Sequence, residues 1–316
     1  MNKIFVIALT LVVGLFLGCS TTWPDNSGIV GTSSVVDEPQ VEEATPEVRI
    51  CPPIGFPMVS ACAELPNVGV VSLSYATPSG WATDGPLWVG GDLVTDMGYD
   101  VNTAGPASCD DWGLIVDGSV WGNVNLPSGK AAYGDEFTGA FRSSQGCSNT
   151  QASPVDFDLL GNTYRECSIE IQNRKARGKA TISGVYLRLS GMDPNLNVFN
   201  ITAEQFDNNL HLDVPPTSAV VVNVSGLDVI WVGHIIKTPD DMGDCFSGTS
   251  TWCTKTLFNF YEATNVYVYG ASLQGSVLAP YATFDGGNGN MDGQLVARHF
   301  AGGLDYHSYR FSWEVL

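Results

Sequence analysis

From Val68 onward, the chain consists of short runs rich in valine and aromatic residues, and glycine ends most of them. Runs of this length, bounded by Gly, Asp, Asn and Pro, are typical of β-strands. The stretch Leu87–Val94 has a near copy in Leu114–Trp121, and Gly275–Pro280 has one in Gly293–Arg298. Imperfect repeats of a strand and a glycine turn are typical of stacked solenoid coils. The sequence therefore predicts an all-β fold, either a β-solenoid or, because the period varies, two packed antiparallel sheets.

One segment departs from the β pattern and predicts a helix. Five apolar residues recur at alternating spacings of three and four, which places them on one helical face. They are Phe157, Leu160, Tyr164, Cys167 and Ile171. Ser153 and Pro154 suit the start of a helix, and Gly178 suits its end. We expect one helix over residues 154–176, lying along the β body.

The first 50 residues predict export and a tether. Lys3 precedes the apolar run Ile4–Leu17, which is too short for a transmembrane helix and is typical of a secretory signal. A glycine directly before Cys19 resembles the bacterial lipobox. That resemblance implies that residues 1–18 are a signal peptide and that Cys19 carries a lipid; ordinary secretion is the alternative. Residues 19–50, rich in Ser, Thr, Pro and Glu, predict a disordered acidic tether.

The charge of the chain limits its partners. The formal net charge is −19 at pH 7. Such a charge argues against nucleic acid and against direct docking on anionic lipid, so we expect membrane contact only through the lipid anchor. It fits an acidic surface protein or one that takes up divalent cations.

Export also makes disulfides plausible among the eight cysteines. The candidate pairs are Cys245 with Cys253, Cys51 with Cys62, and Cys109 with Cys147, which leaves Cys167 over if Cys19 carries a lipid. The first two pairs each close a short loop.

Motifs of catalysis are missing from the sequence, which predicts a protein that is not an enzyme. It has no Gly-x-Ser-x-Gly, His-Glu-x-x-His, phosphate loop or dinucleotide fingerprint. Asp240, Asp241 and Asp244 could hold calcium, with a solvated acidic loop as the alternative, and no other cofactor is expected. Four tryptophans could stack on sugar rings, with a place in the core as the alternative. They are Trp81, Trp88, Trp112 and Trp121.

Five motifs follow one another in the second half of the chain. They are Asp193–Ile201, Ser218–Gly226, Thr256–Phe260, Leu273–Pro280 and Gly289–Ala297. In this order they resemble the choice-of-anchor A family, also described as an ice-binding-like adhesive domain. The resemblance spans residues 64–316 and implies a right-handed β-helix with a helix packed beside it. It also implies an adhesive module that different surface anchors carry, and it brings no catalytic residues.

We therefore expect residues 51–316 to form an all-β domain, a β-solenoid with one α-helix alongside, on a bacterial envelope lipoprotein. Its expected role is non-catalytic adhesion, facing outward, to an extracellular glycan or a matrix protein. A structural envelope lipoprotein without a specific ligand and a polysaccharide-active solenoid enzyme are the alternatives. An exposed aromatic patch would favour binding, a cleft with paired carboxylates would favour the enzyme, and a featureless acidic surface would favour the structural role.

Overall fold

The short strands stack as the coils of a solenoid. The computed structural model describes residues 60–316 except 67, 81, 97, 240–244 and 246–250. Several predictions concern residues outside this described part. They are the signal peptide, the tether, the lipid on Cys19, Cys51, Trp81, and the acidic residues Asp240, Asp241 and Asp244.

The first arm of the chain contains thirteen strands among the described residues. They are β1 (Val70–Ser72), β2 (Ala76–Pro78), β3 (Ala82–Thr83), β4 (Leu87–Val89), β5 (Leu93–Val94), β6 (Tyr99–Val101), β7 (Trp112–Val116), β8 (Val120–Trp121), β9 (Val124–Leu126), β10 (Lys130–Tyr133), β11 (Phe137–Thr138), β12 (Phe141–Ser143) and β13 (Asn149–Gln151). The helix α1 (Phe157–Gln172) follows.

The second arm contains the remaining fourteen strands and a single-turn helix, α2 (Ala203–Phe206). The strands are β14 (Gly178–Ser183), β15 (Tyr186–Gly191), β16 (Leu196–Thr202), β17 (Asn209–Asp213), β18 (Ala219–Ser225), β19 (Asp228–Val232), β20 (Ile236–Lys237), β21 (Thr256–Asn259), β22 (Asn265–Tyr269), β23 (Ser272–Gln274), β24 (Ser276–Gly287), β25 (Asn290–Asp292), β26 (Leu295–Gly302) and β27 (Asp305–His307). Short 3₁₀ helices lie at Ala61–Glu64, Trp252–Thr254 and Trp313–Val315.

Neighbours along the solenoid axis are not always neighbours in sequence. β1 pairs in parallel with β4 on one side and with the start of β26 on the other. The first arm therefore extends outward from β1 to β13. The second arm begins at the far end with β14 to β16 and extends inward until β26 closes on the first coil. We call this contact between the arms, formed by β26 and β27 against β1, β2 and β3, the seam.

Parallel pairing confirms the solenoid and excludes two packed antiparallel sheets. Among the described strands, all pairs are parallel except the hairpin of β14 and β15. The sequence echoes stack as predicted, since Leu87 pairs with Leu114 and Val277 with Leu295. Glycine permits the tight corners: Gly122 has φ +111°, and a Cβ there would collide with the carbonyl oxygen of Thr95 in the next coil.

Two of the sides that the coils present have different surroundings. The side made by β1, β4, β7, β10, β16, β18, β21 and the starts of β24 and β26 is covered by α1. Outward residues of this side, including Ile115 in the first arm and Val221 in the second, belong to the same buried apolar cluster as Tyr164 of α1. The helix thus spans both arms. Inward residues such as Leu87 and Leu93 are fully buried and form the core inside the coils.

The helix prediction is confirmed, with a shorter helix than expected. All five residues of the predicted stripe are buried. The N-cap is Asp156, whose carboxylate accepts a hydrogen bond from the Leu159 N–H, so the expectation of a start at Ser153 and Pro154 was wrong by one turn. In the described part of the chain, no helix has the length and apolar character needed to cross a membrane.

Asparagines from the second arm fix the end of α1. Asn223 Nδ2 donates to the Ile171 carbonyl at 3.2 Å, and Asn259 Nδ2 donates to the Ser168 carbonyl at 2.9 Å. The two side chains also bond to each other. Asn223 and Asn259 occupy two of the five motifs quoted above, so these motifs carry the contact between helix and coils.

Three disulfides lie in the described residues, and one differs from the prediction. Cys245 pairs with Cys253 and Cys109 with Cys147, as the sequence suggested. The prediction that Cys62 pairs with Cys51 and leaves Cys167 over was wrong, because Cys62 is bonded to Cys167. The 3₁₀ helix carrying Cys62 packs on α1, which brings together cysteines 105 residues apart.

Candidate binding surface

The solenoid has a second, uncovered side, which we call the open face. It is the outward surface of eight neighbouring parallel strands. Their order is β11, β8, β5, β2, the end of β26, the end of β24, β22 and β19. At the usual strand spacing of about 4.8 Å, the open face extends roughly 34 Å along the solenoid axis.

One end of the open face is an exposed apolar patch. In β19 and β22 the residues alternate strictly between buried and exposed, as expected for a strand with one side on the core. The patch consists of Ile230, Val232, Tyr267 and Tyr269, each 41–51% exposed. Ile230 pairs with Tyr267 and Val232 with Tyr269, and the two tyrosine rings are parallel with centroids 6.2 Å apart. The four side chains therefore form one contiguous apolar surface.

The centre of the open face is more polar than its apolar end. Tyr75 stacks on His299 with ring centroids 4.0 Å apart. Partial burial, and next the charge of Arg298, lower the pKa of His299 below its usual value. Thr283 pairs with His299 in the neighbouring strand.

The other end of the open face carries one of the predicted tryptophans. Trp121 is 43% exposed and pairs with Val94, which is 41% exposed. The structure does not gather the four tryptophans, because Trp88 and Trp112 lie on the helix-covered side and are partly buried. Trp81 lies outside the described residues.

Sequence reasoning missed the main residues of this surface, which are tyrosines and aliphatic residues rather than tryptophans. The signal was present in Asp228–Val232 and Asn265–Tyr269, where the side opposite the buried residues begins with a polar residue and continues with two large apolar ones in each strand. An alternating pattern in one strand predicts that its residues point to two opposite sides of the sheet. It does not predict which of these sides the rest of the chain covers.

The predicted calcium loop is not described, and a nearby cluster does not replace it. Asp240, Asp241 and Asp244 lie outside the described residues. Cys245, Cys253 and Asp292 come within 4.8 Å of one another, but the two sulfurs are bonded to each other. They therefore offer no thiolate to a metal ion.

A buried histidine–aspartate hydrogen bond lies close to this disulfide. His307 Nδ1 is 2.6 Å from Asp292 Oδ1, and Asp292 is fully buried. The hydrogen bond to Asp292 is the main cause that raises the pKa of His307 above its usual value. The pair joins β25 to β27 and so links two neighbouring strands of the solenoid.

These features define the chain as a β-solenoid with one helix-covered side and one open side. Residues 69–308 match the ice-binding-like adhesive domain family, and the chain belongs to this family. The family resemblance predicted from the five motifs is thereby confirmed.

The chain was also compared with curated proteins and with solved structures. No curated protein is significantly similar to this chain. Among solved structures, an ice binding protein from an Antarctic Biological Consortium is 12% identical, over 84% of this chain and 95% of that one, with a TM-score of 0.32.

Proposed function

We propose that this chain is a non-catalytic adhesion protein of a bacterial cell surface, held to its membrane by a lipid on Cys19. The open face is the proposed adhesive surface, and its ligand is a matrix protein. The observation that carries the proposal is the exposed apolar patch of Ile230, Val232, Tyr267 and Tyr269. Contiguous exposed apolar side chains on a soluble domain mark interaction surfaces.

The composition of the patch favours a protein over a glycan as the ligand. Ile230 and Val232 are aliphatic and cannot stack on a sugar ring, whereas aliphatic and tyrosine side chains together are typical of the core of a protein interface. The patch also lies on paired strands: β22, which carries Tyr267 and Tyr269, is bonded to β19 on one side and to β24 on the other. A surface that is ordered before binding loses little conformational entropy when it binds.

Many anchored copies would strengthen weak single contacts. Neighbouring molecules on one cell engage the same fibre at a high effective concentration, so avidity exceeds the affinity of one open face. With a net charge of −19, the chain needs divalent ions to approach acidic targets. Calcium held by Asp240, Asp241 and Asp244 is part of the proposal for such targets.

The test is attachment of cells that carry the full-length chain to an array of matrix proteins and glycans, with and without calcium. Ile230→Asp places a charge in the centre of the patch and should weaken attachment about tenfold or more. Ile182→Asp is the matched control, because Ile182 is 58% exposed but lies on β14, away from the open face. Equal attachment by both variants would contradict the open face as the adhesive surface.

The anchor is tested separately. Cys19→Ala should release the chain from membranes or block its processing, and unchanged membrane retention with unchanged mass would contradict the lipid. If the wild type attaches only to glycans, the ligand is a glycan and not a matrix protein. If it cleaves an arrayed polysaccharide, the enzyme alternative is supported and the adhesive role is contradicted.

A further inference from the structure

A cleft of about 690 Å³ opens at a corner of the solenoid, apart from the open face. It arises at the seam, because the chain leaves the coils after β27. Residues beyond His307 turn away: Phe311 is buried beside α1, and the Ser312 N–H donates to the Thr254 carbonyl. The next corner along the axis begins at Asp84, and among the described residues no further coil fills the space between them.

A long corner loop forms the opposite wall of the cleft. Residues 102–111 connect β6 to β7 and contain Cys109, whose disulfide to Cys147 ties the loop to the outer coils. Asn102 Nδ2 donates to the Ser128 carbonyl at 2.9 Å, and the Lys130 N–H donates to the Asp111 carbonyl at 2.9 Å. The wall is therefore held in shape before any ligand arrives.

Two indoles line the cleft, and neighbouring strands carry them. Trp88 lies on β4 and Trp112 at the start of β7. Lys130 Nζ lies 4.4 Å from the centre of the Trp112 ring. Trp88 Nε1 is buried without an acceptor among the described residues, and an unpaired buried donor is costly.

Three charged residues that line the cleft can form hydrogen bonds with a ligand. Asp84 accepts one hydrogen bond through Oδ1, from Thr103 at 2.7 Å. Asp111 and Arg310 are exposed, and within the described part of the chain their side chains form no hydrogen bond or ion pair. Two carboxylates and a guanidinium thus face a space bounded by indoles, and none of the three is neutralised by an ion-pair partner there.

We propose that this cleft binds a neutral pyranose unit of a glycan. The C–H face of a pyranose ring is apolar and stacks on an indole, while its hydroxyl rim both donates and accepts hydrogen bonds. Asp84 and Asp111 accept from hydroxyls, and Arg310 donates to hydroxyl or ring oxygens. A few convergent polar groups among apolar walls, in a space of this size, are typical of small-ligand sites. The excess of carboxylates disfavours acidic sugars.

This site is independent of the open face and stands or fails separately from the adhesive role proposed above. The experiment titrates the full-length chain with methyl glucoside, methyl mannoside, methyl galactoside, cellobiose and lactose, followed by tryptophan fluorescence and calorimetry. Glucuronic acid and glucosamine are the anionic and cationic probes. We expect at least one neutral sugar to bind, and glucuronic acid to bind more weakly.

Three variants locate the binding. Trp112→Ala should weaken it about tenfold, which corresponds to ~1.4 kcal/mol. Asp111→Asn should weaken sugar binding severalfold. Because Asp111 is exposed, we expect this variant to fold, so it tests the site even if Trp112→Ala fails to fold. Trp121→Ala is the matched control, since Trp121 is an exposed tryptophan on the open face, and it should bind like the wild type.

Four binding results would overturn the proposal, and a fifth, catalytic result is given after them. They are no binding of any neutral sugar at millimolar concentration, binding unaffected by Asp111→Asn and Trp112→Ala, loss of binding in Trp121→Ala, and binding of glucosamine alone. Release of new reducing ends from cellobiose or lactose, abolished by Asp111→Asn, would make the cleft a catalytic site and would also overturn it.

Discussion

The pair of His307 and Asp292 links the stability of one coil to pH. The hydrogen bond from the protonated imidazole to the buried carboxylate is the main cause of the raised pKa of His307. The charges of Asp305 and Asp84 act in the same direction, and partial burial opposes them. Because the folded protein holds this proton more tightly than the unfolded chain, protonation of His307 stabilises the fold.

The variant His307→Gln should remove this pH dependence. The stabilising contribution of His307 is fully present below the usual histidine pKa of 6.5 and is lost as pH rises through the higher pKa of the folded state. Glutamine keeps a donor for Asp292 but does not titrate. The measurement is the unfolding free energy in urea from about pH 5 to about pH 9, taken as wild type minus variant. This difference should fall as pH rises, and a difference constant over the whole range would contradict the argument.

Sequence spacing predicts local residue pairs but not distant ones. Cys245 and Cys253 are eight residues apart, so a short loop alone brings them together. Cys62 and Cys167 meet only because a 3₁₀ helix docks on α1, and no local pattern encodes that docking. The same reason explains why the cleft was not predicted: Trp112 and Arg310 approach through the seam, far from each other in sequence.

The element that the sequence predicted best is α1. Its apolar stripe is read along one face, and the coils bury that same face. The start was misplaced because Ser153, Pro154 and Asp156 all suit a helix start, and only the structure shows that the carboxylate of Asp156 caps the Leu159 N–H. Strands were predicted as a class, but their bounds depend on stacking against other coils.

The buried side of α1 should not tolerate a charge. Tyr164 is 1% exposed and packs between the helix and the coils, so Tyr164→Asp leaves a carboxylate without a partner in the core. The expected loss is roughly 3–5 kcal/mol of unfolding free energy. Leu159→Asp, in the first turn of the same helix at a position 65% exposed, should change stability by no more than about 0.5 kcal/mol. Urea unfolding followed by circular dichroism measures both, and equal losses would show that α1 does not pack as described.

For the whole molecule, repeats in the sequence predicted the coils but not their order. Echoes such as Leu87–Val94 and Leu114–Trp121 show that two segments stack. They do not show that the last coil, β26 and β27, lies against the first, because pairing across the seam joins residues more than two hundred positions apart. In a solenoid each coil contacts only its neighbours, so among the described strands the seam is the one pairing that joins the two arms.

The seam should therefore set the stability of both arms together. Phe300 of β26 is fully buried, pairs with Ala76 across the seam and contacts the ring of Tyr306. Phe300→Ala should cost about 3–5 kcal/mol and lower hydrogen-exchange protection in β1 and β2 as well as in β24. Phe199→Ala removes an equally buried ring from β16, at the far end of the second arm. It should lower protection in β16 and β18 and leave β1 unchanged, since changes in a solenoid spread through adjacent coils. Loss of protection confined to the second arm in Phe300→Ala would mean that the arms fold independently and that α1, rather than the seam, holds them together.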